Sequence, residues 1–359
     1  MKKIILHVAQ AEISEESGMG RVAWHWRNEF EKRGYEFIHI GPKEVGRIPH
    51  PALFPYAAYQ TYRKLKKVAS VFLIHEPASG IFVGRGIPTV VVSHGLERRD
   101  WELTLQGKGG QNIKWRTRLL FPIWRLRQCD LGLKKANLLL LINQEDALYA
   151  QRRYNRNSDI LVFKNGVYPS NLNEKIQPEN QITILFLGSW IERKGIRTLI
   201  EAATILHRQG LRLNYLVAGV SVESKTILDS WPEELHTFVE VVPHFSRGYE
   251  ESLFARSNIF VLPSFFEGQP LSLLQAMESG RCCITTNCCG QKDLIQHGFN
   301  GLLHEPGDAK KLAFLIAKCA ESKDLRIELG KNAKLSVKDR SWEAVSAEIV
   351  DRIEVVLNL

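Results

Sequence analysis

Apolar and polar positions follow two recurring patterns along this chain. Short runs rich in Val, Ile and Leu are separated by longer stretches in which apolar residues recur at helical spacing. Fully apolar runs of this length are typical of parallel strands that are covered on both faces. The sequence therefore predicts an α/β protein built from doubly wound parallel sheets.

The predicted strands fall into two sets, one in each half of the chain. The first set is IILHVA, YEFIHI, VFLIH, PTVVVSH, NLLLLIN and ILVFKNG, and the second is TILFLGS, LNYLVAG, FVEVV, IFVLPS and CCITTN. The clearest amphipathic helix is GIRTLIEAATILHRQG, whose predicted buried face consists of Ile196, Leu199, Ile200, Ala203 and Leu206.

A polar segment, 165–181, separates the two sets and predicts a hinge between two domains. We expect a first domain at 1–165 and a second at 166–340, with the helix pattern at 341–359 packing back onto the first. Ligands of doubly wound sheets bind outside the carboxyl ends of the strands, so two such domains predict a central cleft lined by strand-to-helix loops.

Charge and cysteine content bear on the expected partners and the cellular location of the protein. The formal net charge is +9, which predicts an anionic partner such as a phosphate, a membrane face or a nucleic acid. The six cysteines do not form the regular pattern of a small secreted scaffold, so reduced thiols are expected. The start, MKKIILHVAQ, is too short for a signal peptide or a membrane span, and a cytoplasmic location is expected, with the inner membrane face as the alternative.

The loop that follows IFVLPS is the first candidate for chemistry. It carries Glu267, Gly268, Gln269 and Pro270, and a helix is predicted to begin near Leu271. Free backbone N–H groups and the positive end of the helix dipole favour an anion there, while the glutamate offers two oxygens to hydroxyl groups. An ordinary capped helix with a surface acid is the alternative interpretation.

A second loop, in LFLGSWIERKG, places two cations where the next helix begins. Arg193 and Lys194 follow a strand and a glycine, Gly188. Cations beside a helix N-terminus are suited to binding a diphosphate. A basic pair on a solvated helix face is the alternative.

Taken together, these loops resemble those of the family-4 retaining glycosyltransferases of the GT-B fold, which use nucleotide-sugar donors. The similar segments of the second half are GSWIERKG, PSFFEGQPLSLLQAMESG and CCGQKDLIQHGFNGLLHEPGD. Those of the first half are GMGRVAWHWRNEFEKRGYE, which looks like the family's glycine-rich loop and first helix, together with VSHG and FKNGV. The resemblance implies two Rossmann-like domains, the first binding the acceptor and the second binding the donor.

The resemblance also implies roles for individual residues. Lys194 would neutralise the leaving diphosphate, Glu267 would accept hydrogen bonds from the donor sugar, and His94 would line the sugar. The implied donor-binding positions are Met19, Gly20, Arg21, Ser189, Arg193, His244, Phe245, Gly268, Gln269, Pro270, Leu271 and Gln275. The candidates for acceptor contact are His75, Glu76, Glu97 and Arg98, and a structural role is the alternative for the first two.

Three positions depart from the family pattern. Ser189 stands where the family usually has an arginine, so Arg193 is a candidate for the second cation. Gln275 replaces the second donor glutamate, which leaves its carbonyl to bind ribose hydroxyls, and Glu278 lies one turn further on. A cysteine precedes the glycine of a usual glycine pair, and the acid that follows is Asp293.

The expected mechanism needs no metal ion. The sequence has no Asp-x-Asp pair of the kind that holds a divalent ion on a sugar nucleotide. Cations and helix dipoles would then stabilise the leaving group by preorganised charge. Retention, attack on the same face of the sugar and a UDP-glucose donor follow from the resemblance, with another UDP-hexose or GDP-mannose as alternatives; the expected products are polysaccharide, envelope glycan or a lipid-linked precursor.

Other functions remain open at this point. The string Gly18 to Ala23 fits a dinucleotide fingerprint and suggests an oxidoreductase, although the second predicted strand lacks the usual acid at its end. Ser189 and Gln275 leave room for a non-catalytic relative that only binds a nucleotide sugar. The paired cysteines suggest a metal site, and small buried apolar residues are the alternative.

Residues 108–135 suggest a further partner. This segment has eight basic residues and one acid, interleaved with Trp115, Phe121 and Trp124 and interrupted by Pro122. The combination is typical of a helix at an anionic membrane, where a lipid-linked acceptor would be found, or of a nucleic-acid surface. A plain solvated helix pair is the alternative, and because no nucleic-acid motif surrounds the segment, no nucleic-acid partner is expected.

Overall fold

The computed structural model describes residues 2–16, 18–107, 113–172 and 181–359. The chain divides into two compact units. The first consists of most of residues 1–166 together with Trp342–Leu359, and the second of Val167–Ser341. Among the described residues, no helix combines the length and the apolar character needed to cross a bilayer.

Six strands among the described residues form the sheet of the first unit, and every neighbouring pair is parallel. These strands are β1 (Ile4–Val8), β2 (Glu36–Ile40), β3 (Val71–His75), β4 (Thr89–Ser93), β5 (Leu138–Leu141) and β6 (Ile160–Val162), in the spatial order β2-β1-β3-β4-β5-β6. All residues of β3, β4 and β5 are buried, as expected for strands with helices on both faces.

The helices of this unit are α1 (Gly18–Lys32), α2 (Pro42–Val45), α3 (Phe54–Lys64), α4 (Ser79–Phe82), α5 (Glu97–Leu105), α6 (Trp115–Phe121), α7 (Arg127–Lys135) and α8 (Gln144–Tyr154). Short 3₁₀ turns occupy Pro51–Leu53 and Glu76–Ala78, and a π turn occupies Pro122–Leu126. The last helix of the chain, α16 (Trp342–Leu357), packs on α1.

The second unit repeats the architecture with six parallel strands among its described residues. They are β7 (Thr183–Leu187), β8 (Asn214–Ala218), β9 (Val239–Val242), β10 (Ile259–Leu262), β11 (Cys282–Thr286) and β12 (Leu302–His304), in the order β12-β11-β10-β7-β8-β9. Its core includes the apolar face of the amphipathic helix predicted from GIRTLIEAATILHRQG, although Ile200 is only half-buried.

The helices of the second unit are α9 (Ile196–Arg208), α10 (Ser224–Leu228), α11 (Arg247–Ala255), α12 (Leu271–Glu278), α13 (Cys289–Leu294), α14 (Ala309–Glu321) and α15 (Lys323–Val337). Short 3₁₀ turns occupy Glu192–Lys194 and Glu233–Phe238. The predicted doubly wound α/β architecture is confirmed in both units, and the eleven predicted strands are all present.

Three local features differ from the sequence predictions. The strand β12 was missed because only Leu302 and Leu303 precede a histidine there, which is too short an apolar run to signal a strand, whereas the equally short β6 lies in a run of four apolar residues. The glycine-rich segment that starts at Gly18 is the first turn of α1 rather than a loop. At Pro122 the helix continues through a π turn instead of breaking, because a wider turn accommodates the missing N–H and the bulky ring.

Two predicted segments lie partly outside the described residues. The hinge segment 165–181 includes 173–180, and the basic segment 108–135 includes 108–112. The remaining parts of both segments are described below where they bear on a site.

Candidate functional site

The second sheet changes direction between β7 and β10. From β7 the chain builds outward through β8 and β9, and it then returns to place β10 on the other side of β7. Loops that leave neighbouring strands in opposite directions open a crevice at the carboxyl ends of those strands, and ligands of open parallel sheets bind there. The two loops that the sequence marked for chemistry follow β7 and β10.

These two loops are joined to each other by backbone hydrogen bonds. The Phe265 N–H donates to the Arg193 carbonyl at 2.8 Å, and the Arg193 guanidinium donates back to the Phe266 carbonyl at 2.7 Å. The side chain of Arg193 therefore helps to hold the second loop in place, and its charge lies close to that loop.

Lys194 and Glu267 form an ion pair across the junction of the loops. The ammonium Nζ lies 2.6 Å from the carboxylate Oε1, and only 14% and 9% of the two side chains are exposed. Burial raises the pKa of Glu267, but the charges of Lys194 and Arg193 lower it by more, so the net shift is downward. The carboxylate is thus ionised at neutral pH and is held beside a cation.

Glycines allow this close arrangement. Gly195 has φ +74°, and a Cβ there would lie 1.9 Å from the Pro263 carbonyl oxygen. A Cβ at Gly188 would lie 3.6 Å from Lys194 Cε, so the lysine stem extends directly over that backbone. Any larger residue at Gly195 would separate the two loops and with them the ion pair.

The Glu267 loop is supported from its other side by the turn after β11. The Gly290 N–H donates to the Glu267 carbonyl at 3.2 Å, and a Cβ at Gly290 would lie 1.5 Å from the Gly268 carbonyl oxygen. Thr286 Oγ1 donates to the Ser264 carbonyl at 2.6 Å, and the buried Gln291 Nε2 donates to the Leu262 carbonyl at 3.0 Å. This support was not predicted from the sequence, where a lone glycine after the cysteine pair is its only signal.

The helix α12 begins at Leu271, as predicted, directly after Pro270. The buried side chain of Gln269 accepts a hydrogen bond from Arg340 at 3.1 Å, and Gln275 Nε2 donates to the Tyr168 carbonyl at 3.0 Å. Arg340 and Tyr168 were not predicted as parts of this site.

Glu278, one turn after Gln275, is also engaged by the backbone. It accepts a long hydrogen bond of 3.4 Å from the Ser170 N–H. Burial raises the pKa of Glu278, although this hydrogen bond and the charge of Lys334 oppose the shift. Its position therefore ties α12 to the segment around Ser170.

The remaining donor-side candidates of this unit lie after β7 and β9. Ser189 and His244 are exposed, and Phe245 is half-buried. Phe245 Cε1 lies 3.1 Å from where a Cβ of Gly219 would be, which places its ring over the end of β8. These residues therefore share the carboxyl edge of the sheet with the ion pair.

The first sheet has its own change of direction, between β1 and β3, and a row of histidines runs along that edge. His7 Nδ1 lies 2.9 Å from Nδ1 of His39, and His7 Nε2 lies 3.0 Å from Nε2 of His75. The ring of His94 lies 5.1 Å from that of His75. Burial lowers the pKa of all four imidazoles, that of His94 to about 4, so the row is neutral at pH 7.

The predicted acceptor-side acids belong to a buried polar network next to this row. Glu76 accepts hydrogen bonds from Ser93 Oγ at 2.6 Å and from the Glu97 N–H at 3.2 Å. Burial, together with the charge of Glu97, raises the pKa of Glu76 well above its usual value. Arg125 Nε and Nη2 each donate to a Glu97 carboxylate oxygen at 2.7 Å, and Arg98 Nε donates to Asp130 at 2.9 Å.

Met19, Gly20 and Arg21 lie in the first turn of α1, and Met19 is exposed. Arg21 Nε donates to the carbonyl of Glu15 at 2.9 Å, so its guanidinium orders the segment before the helix.

Within the described parts of the chain, no cysteine belongs to a group of three or more side chains that could hold a metal ion. All six are free thiols, and Cys282 Sγ and Cys319 Sγ lie 3.5 Å apart inside the second unit. Among the described residues, Glu12, His39 and Glu44 could offer three ligand atoms to an ion. The two carboxylates already accept backbone N–H groups, from Lys43 and Gly41, which gives them a structural role.

Most of the second unit matches a known protein family. Residues 169–336 match the family of glycosyl transferases group 1. A glycosyltransferase for amylovoran biosynthesis, AmsK of Erwinia amylovora, is 27% identical over 209 residues, which cover 54% of this chain and 51% of the relative. The matched region therefore spans about half of that protein.

Two further relatives are also glycosyltransferases by name. An uncharacterized glycosyltransferase of Haemophilus influenzae is 24% identical over 97% of this chain and 99% of its own length. The N,N'-diacetylbacillosaminyl-diphospho-undecaprenol alpha-1,3-N-acetylgalactosaminyltransferase of Campylobacter jejuni is 28% identical over 47% of this chain and 43% of its own.

Solved structures agree on the fold. Sucrose-phosphate synthase of Thermosynechococcus elongatus has a TM-score of 0.81 and 17% identity, covering 99% of this chain and 100% of its own. Anabaena HepE in complex with UDP-glucose has a TM-score of 0.67 and 16% identity, covering 98% and 99%. The fold is therefore GT-B, as the sequence predicted.

Proposed function

The chain carries a glycosyl transferase group 1 domain, and on that premise we propose that it transfers a hexose from a UDP-sugar, UDP-glucose first, to a saccharide or lipid-linked acceptor. The transfer retains the configuration of the sugar and serves the synthesis of a polysaccharide or an envelope glycan. The observation that carries this proposal is the buried Lys194–Glu267 pair at the point where the second sheet changes direction.

A nucleoside diphosphate is a suitable ligand for this pair, because its phosphate groups can replace the Glu267 carboxylate as the anion bound to Lys194. The side chain of Lys194 is only 14% exposed, so a phosphate that reaches its ammonium meets a partly desolvated charge. Arg193 and the free N–H groups at the start of α12 add positive potential on the same edge. These groups stabilise a leaving diphosphate without a metal ion.

Glu267 then contributes hydrogen-bond acceptors for the sugar. When phosphate draws Lys194 away, the carboxylate gains free lone pairs beside the rigid loop that Gly290 supports. Because the pKa of Glu267 is lowered, it binds hydroxyl groups as an anion throughout the physiological pH range. Gln275 is oriented by Tyr168, so its carbonyl oxygen is the group offered to the ribose.

The choice of donor and acceptor is supported by what similar proteins bind. A structural neighbour is known with UDP-glucose bound, and a relative is named for transfer to a diphospho-undecaprenol saccharide. For the acceptor we assign the first unit, where Glu97, which is partly exposed and lies next to the buried Glu76, offers a partner for hydroxyl groups.

A non-catalytic relative that only binds a nucleotide sugar is the second candidate. Ser189 and Gln275 favour it because each removes a charge that the family pattern supplies at this site. Slow hydrolysis of a UDP-sugar by the purified protein would distinguish a catalyst from a binder, since a binder leaves the donor intact.

The first experiment is calorimetric titration with UDP, GDP and NAD, each without and then with Mg²⁺. We expect UDP to bind in the micromolar range with equal affinity in both conditions. Binding of NAD alone would replace the proposal by an oxidoreductase, and binding of UDP only with Mg²⁺ would refute the metal-independent mechanism.

Two variants then test the ion pair by opposite effects on UDP binding. Lys194→Ala should weaken UDP binding roughly ten- to hundredfold, the usual value of a hydrogen bond to a charged group. Glu267→Gln should tighten UDP binding, because it removes the competing anion, and should still lower turnover by about a hundredfold or more.

The matched control is Arg197→Ala, which removes a cation on α9 whose side chain is 74% exposed and paired with Glu192. It should leave UDP binding and turnover unchanged. If Lys194→Ala behaves like this control, or if both pair variants weaken UDP binding alike, the assigned roles are wrong.

A further inference from the structure

The segment Lys114–Arg127 of the first unit, which we call the amphipathic surface, displays large apolar side chains to solvent. It consists of α6, the π turn Pro122–Leu126 and the first residue of α7. The exposed apolar residues are Trp115 at 68%, Leu119 at 60%, Leu120 at 51%, Ile123 at 58% and Trp124 at 52%. No other described part of the chain exposes so many large apolar residues within ten positions.

Exposed apolar residues elsewhere in the described chain are more dispersed. Examples are Phe314 and Val355, each of which is separated along its own helix from other exposed large apolar residues. Single exposed apolar residues are normal on protein surfaces, whereas a contiguous group marks an interaction site. The amphipathic surface therefore needs a partner that accepts apolar side chains.

The same surface carries only positive charge. Lys114, Arg116, Arg118 and Arg127 are exposed, and the sequence from 114 to 129 contains no aspartate or glutamate. The guanidinium of Arg116 lies 5.5 Å from the ring centre of Trp115, so cation and aromatic ring form one patch. The partner must therefore accept cations as well as apolar groups.

The inner face of the segment fixes this orientation. Phe121 stacks on the buried Trp101 with ring centres 4.5 Å apart. Arg125 is held by Glu97, and Leu126 and Cys129 are fully buried. Because the inner residues pack in the first unit, they hold the tryptophans of the outer face in an exposed position.

We propose that the amphipathic surface binds the interface of an anionic lipid bilayer. Indole rings partition to the boundary between headgroups and acyl chains, leucine and isoleucine enter the adjacent apolar layer, and the cations meet lipid phosphates. A nucleic acid would satisfy the cations but would leave the leucines and the isoleucine in water. A bilayer satisfies both sets at once.

Membrane binding by this surface goes beyond the proposed function, because it requires neither a sugar donor nor catalytic turnover. It would place the first unit at the layer where a lipid-linked acceptor presents its saccharide. Contact is peripheral: the segment lies along the bilayer surface, with its inner face still packed on Trp101 and Glu97.

The test is flotation of the purified full chain with phosphatidylcholine vesicles, with and without phosphatidylglycerol. We expect binding only to the vesicles that contain the anionic lipid, weakening as salt is raised. Equal binding to both vesicle types, or binding to neither, overturns the proposal. So does tighter binding of the surface to duplex DNA than to anionic vesicles.

Variants separate the apolar and charged contributions. The double variant Trp115→Ser with Trp124→Ser should lose vesicle binding, whereas Phe314→Ser should not, although Phe314 is 59% exposed and also packs under a cation, Lys311. Arg116→Gln with Arg118→Gln should weaken binding by about fivefold per cation, and Arg152→Gln with Arg153→Gln, an exposed pair on α8, by less.

UDP binding distinguishes this proposal from the proposed function. The tryptophan variant should bind UDP as the wild type does, and its strands β1, β3 and β4 should keep the hydrogen-exchange protection of the wild type, which shows that the first unit is folded. If the wild type is a dimer that this variant converts to a monomer, and neither binds vesicles, the surface joins two copies of the chain and the proposal is wrong.

Discussion

At the scale of single residues, burial decides which ionisable groups carry charge. The imidazole row in the first unit is neutral because the loss of water on burial lowers the pKa of its members, and at His39 this effect exceeds the opposing charges of Glu12 and Glu44. Glu267 is just as enclosed, yet it is ionised, since two cations accompany it. The same chain therefore holds one uncharged and one charged polar cluster, at the change of direction of each sheet.

The row predicts a loss of stability in acid. An unfolded histidine takes up a proton below pH 6.5, whereas the folded pKa of His7 is well below that value, so the free energy of unfolding falls as pH drops from 7 to 5. Between pH 7 and pH 5, the free energy of unfolding of His7→Phe should fall by about 2 kcal/mol less than that of the wild type. Urea unfolding of both proteins at several pH values measures it.

The comparison with wild type is needed because Glu76 acts in the opposite direction. Its raised pKa favours the protonated folded state, so its contribution to stability is lost as pH rises through that value. Both proteins share this effect, and it cancels in the difference. A difference that is independent of pH would mean that His7 takes up its proton at the same pH in the folded protein as in the unfolded chain.

At the scale of elements, the Glu267 loop is positioned by two glycine contacts. Gly195 lies against Pro263 at its start, and Gly290 lies against Gly268 near its end. The loop therefore has contacts on both sides before any ligand is present. Such preorganisation reduces the cost of ordering a site during binding.

Gly290→Ala should consequently damage the donor site. The added methyl group would overlap the Gly268 carbonyl oxygen, so the Glu267 loop must move. We expect a loss of about 1 to 3 kcal/mol in the free energy of unfolding and weaker UDP binding by calorimetry.

The matched control is Gly248→Ala on α11, where an added Cβ meets nothing within 4 Å. It should keep full UDP affinity and unfold at the same or a higher urea concentration, because alanine is the better helix former. Normal UDP affinity in Gly290→Ala would show that the loop does not determine donor binding.

At the scale of the whole molecule, the last helix returns to the unit that begins the chain. Arg33 of the first unit donates to Asp351 and Glu354 on α16, and Tyr35 donates to Glu354. The ring of Trp342 stacks on His25 with centres 4.3 Å apart. The first unit is therefore assembled from segments that are far apart in the sequence.

Trp342→Ala should destabilise the first unit in particular. Only 4% of this side chain is exposed, so its removal should cost about 3 to 5 kcal/mol. Hydrogen exchange should show faster exchange in α1 and β1, while the strands of the second unit keep their protection. Val355→Ala, on the same helix and 68% exposed, should change neither. Equal loss of protection in β7 and β10 would contradict this assignment.

Prediction from the sequence was most successful where the pattern is local. Apolar runs identified all but the three-residue strand β12, and the start of α12 followed from Pro270. Glycine content was a poorer guide, since Gly18 and Gly20 begin a helix instead of forming a loop. Pro122 was also a poor guide to where a helix ends, because a π turn allows the helix to continue through this proline.

The candidate site shows the same division between local and distant information. Lys194 and Glu267 were marked by their own loops and by a family resemblance, but the 2.6 Å contact between them depends on β7 and β10 being neighbours. The support from Gly290, Arg340 and Tyr168 comes from distant segments, which no local pattern connects.

By itself, the sequence determined the doubly wound architecture, the order of the elements and the loops that carry charge, because strand and helix periods are properties of neighbouring residues. Only the tertiary structure decided which charges are paired, which imidazoles are neutral and which tryptophans remain exposed. Those outcomes depend on burial and on contacts between residues far apart in the chain, such as Arg125 with Glu97, and these arise only when the sheets assemble.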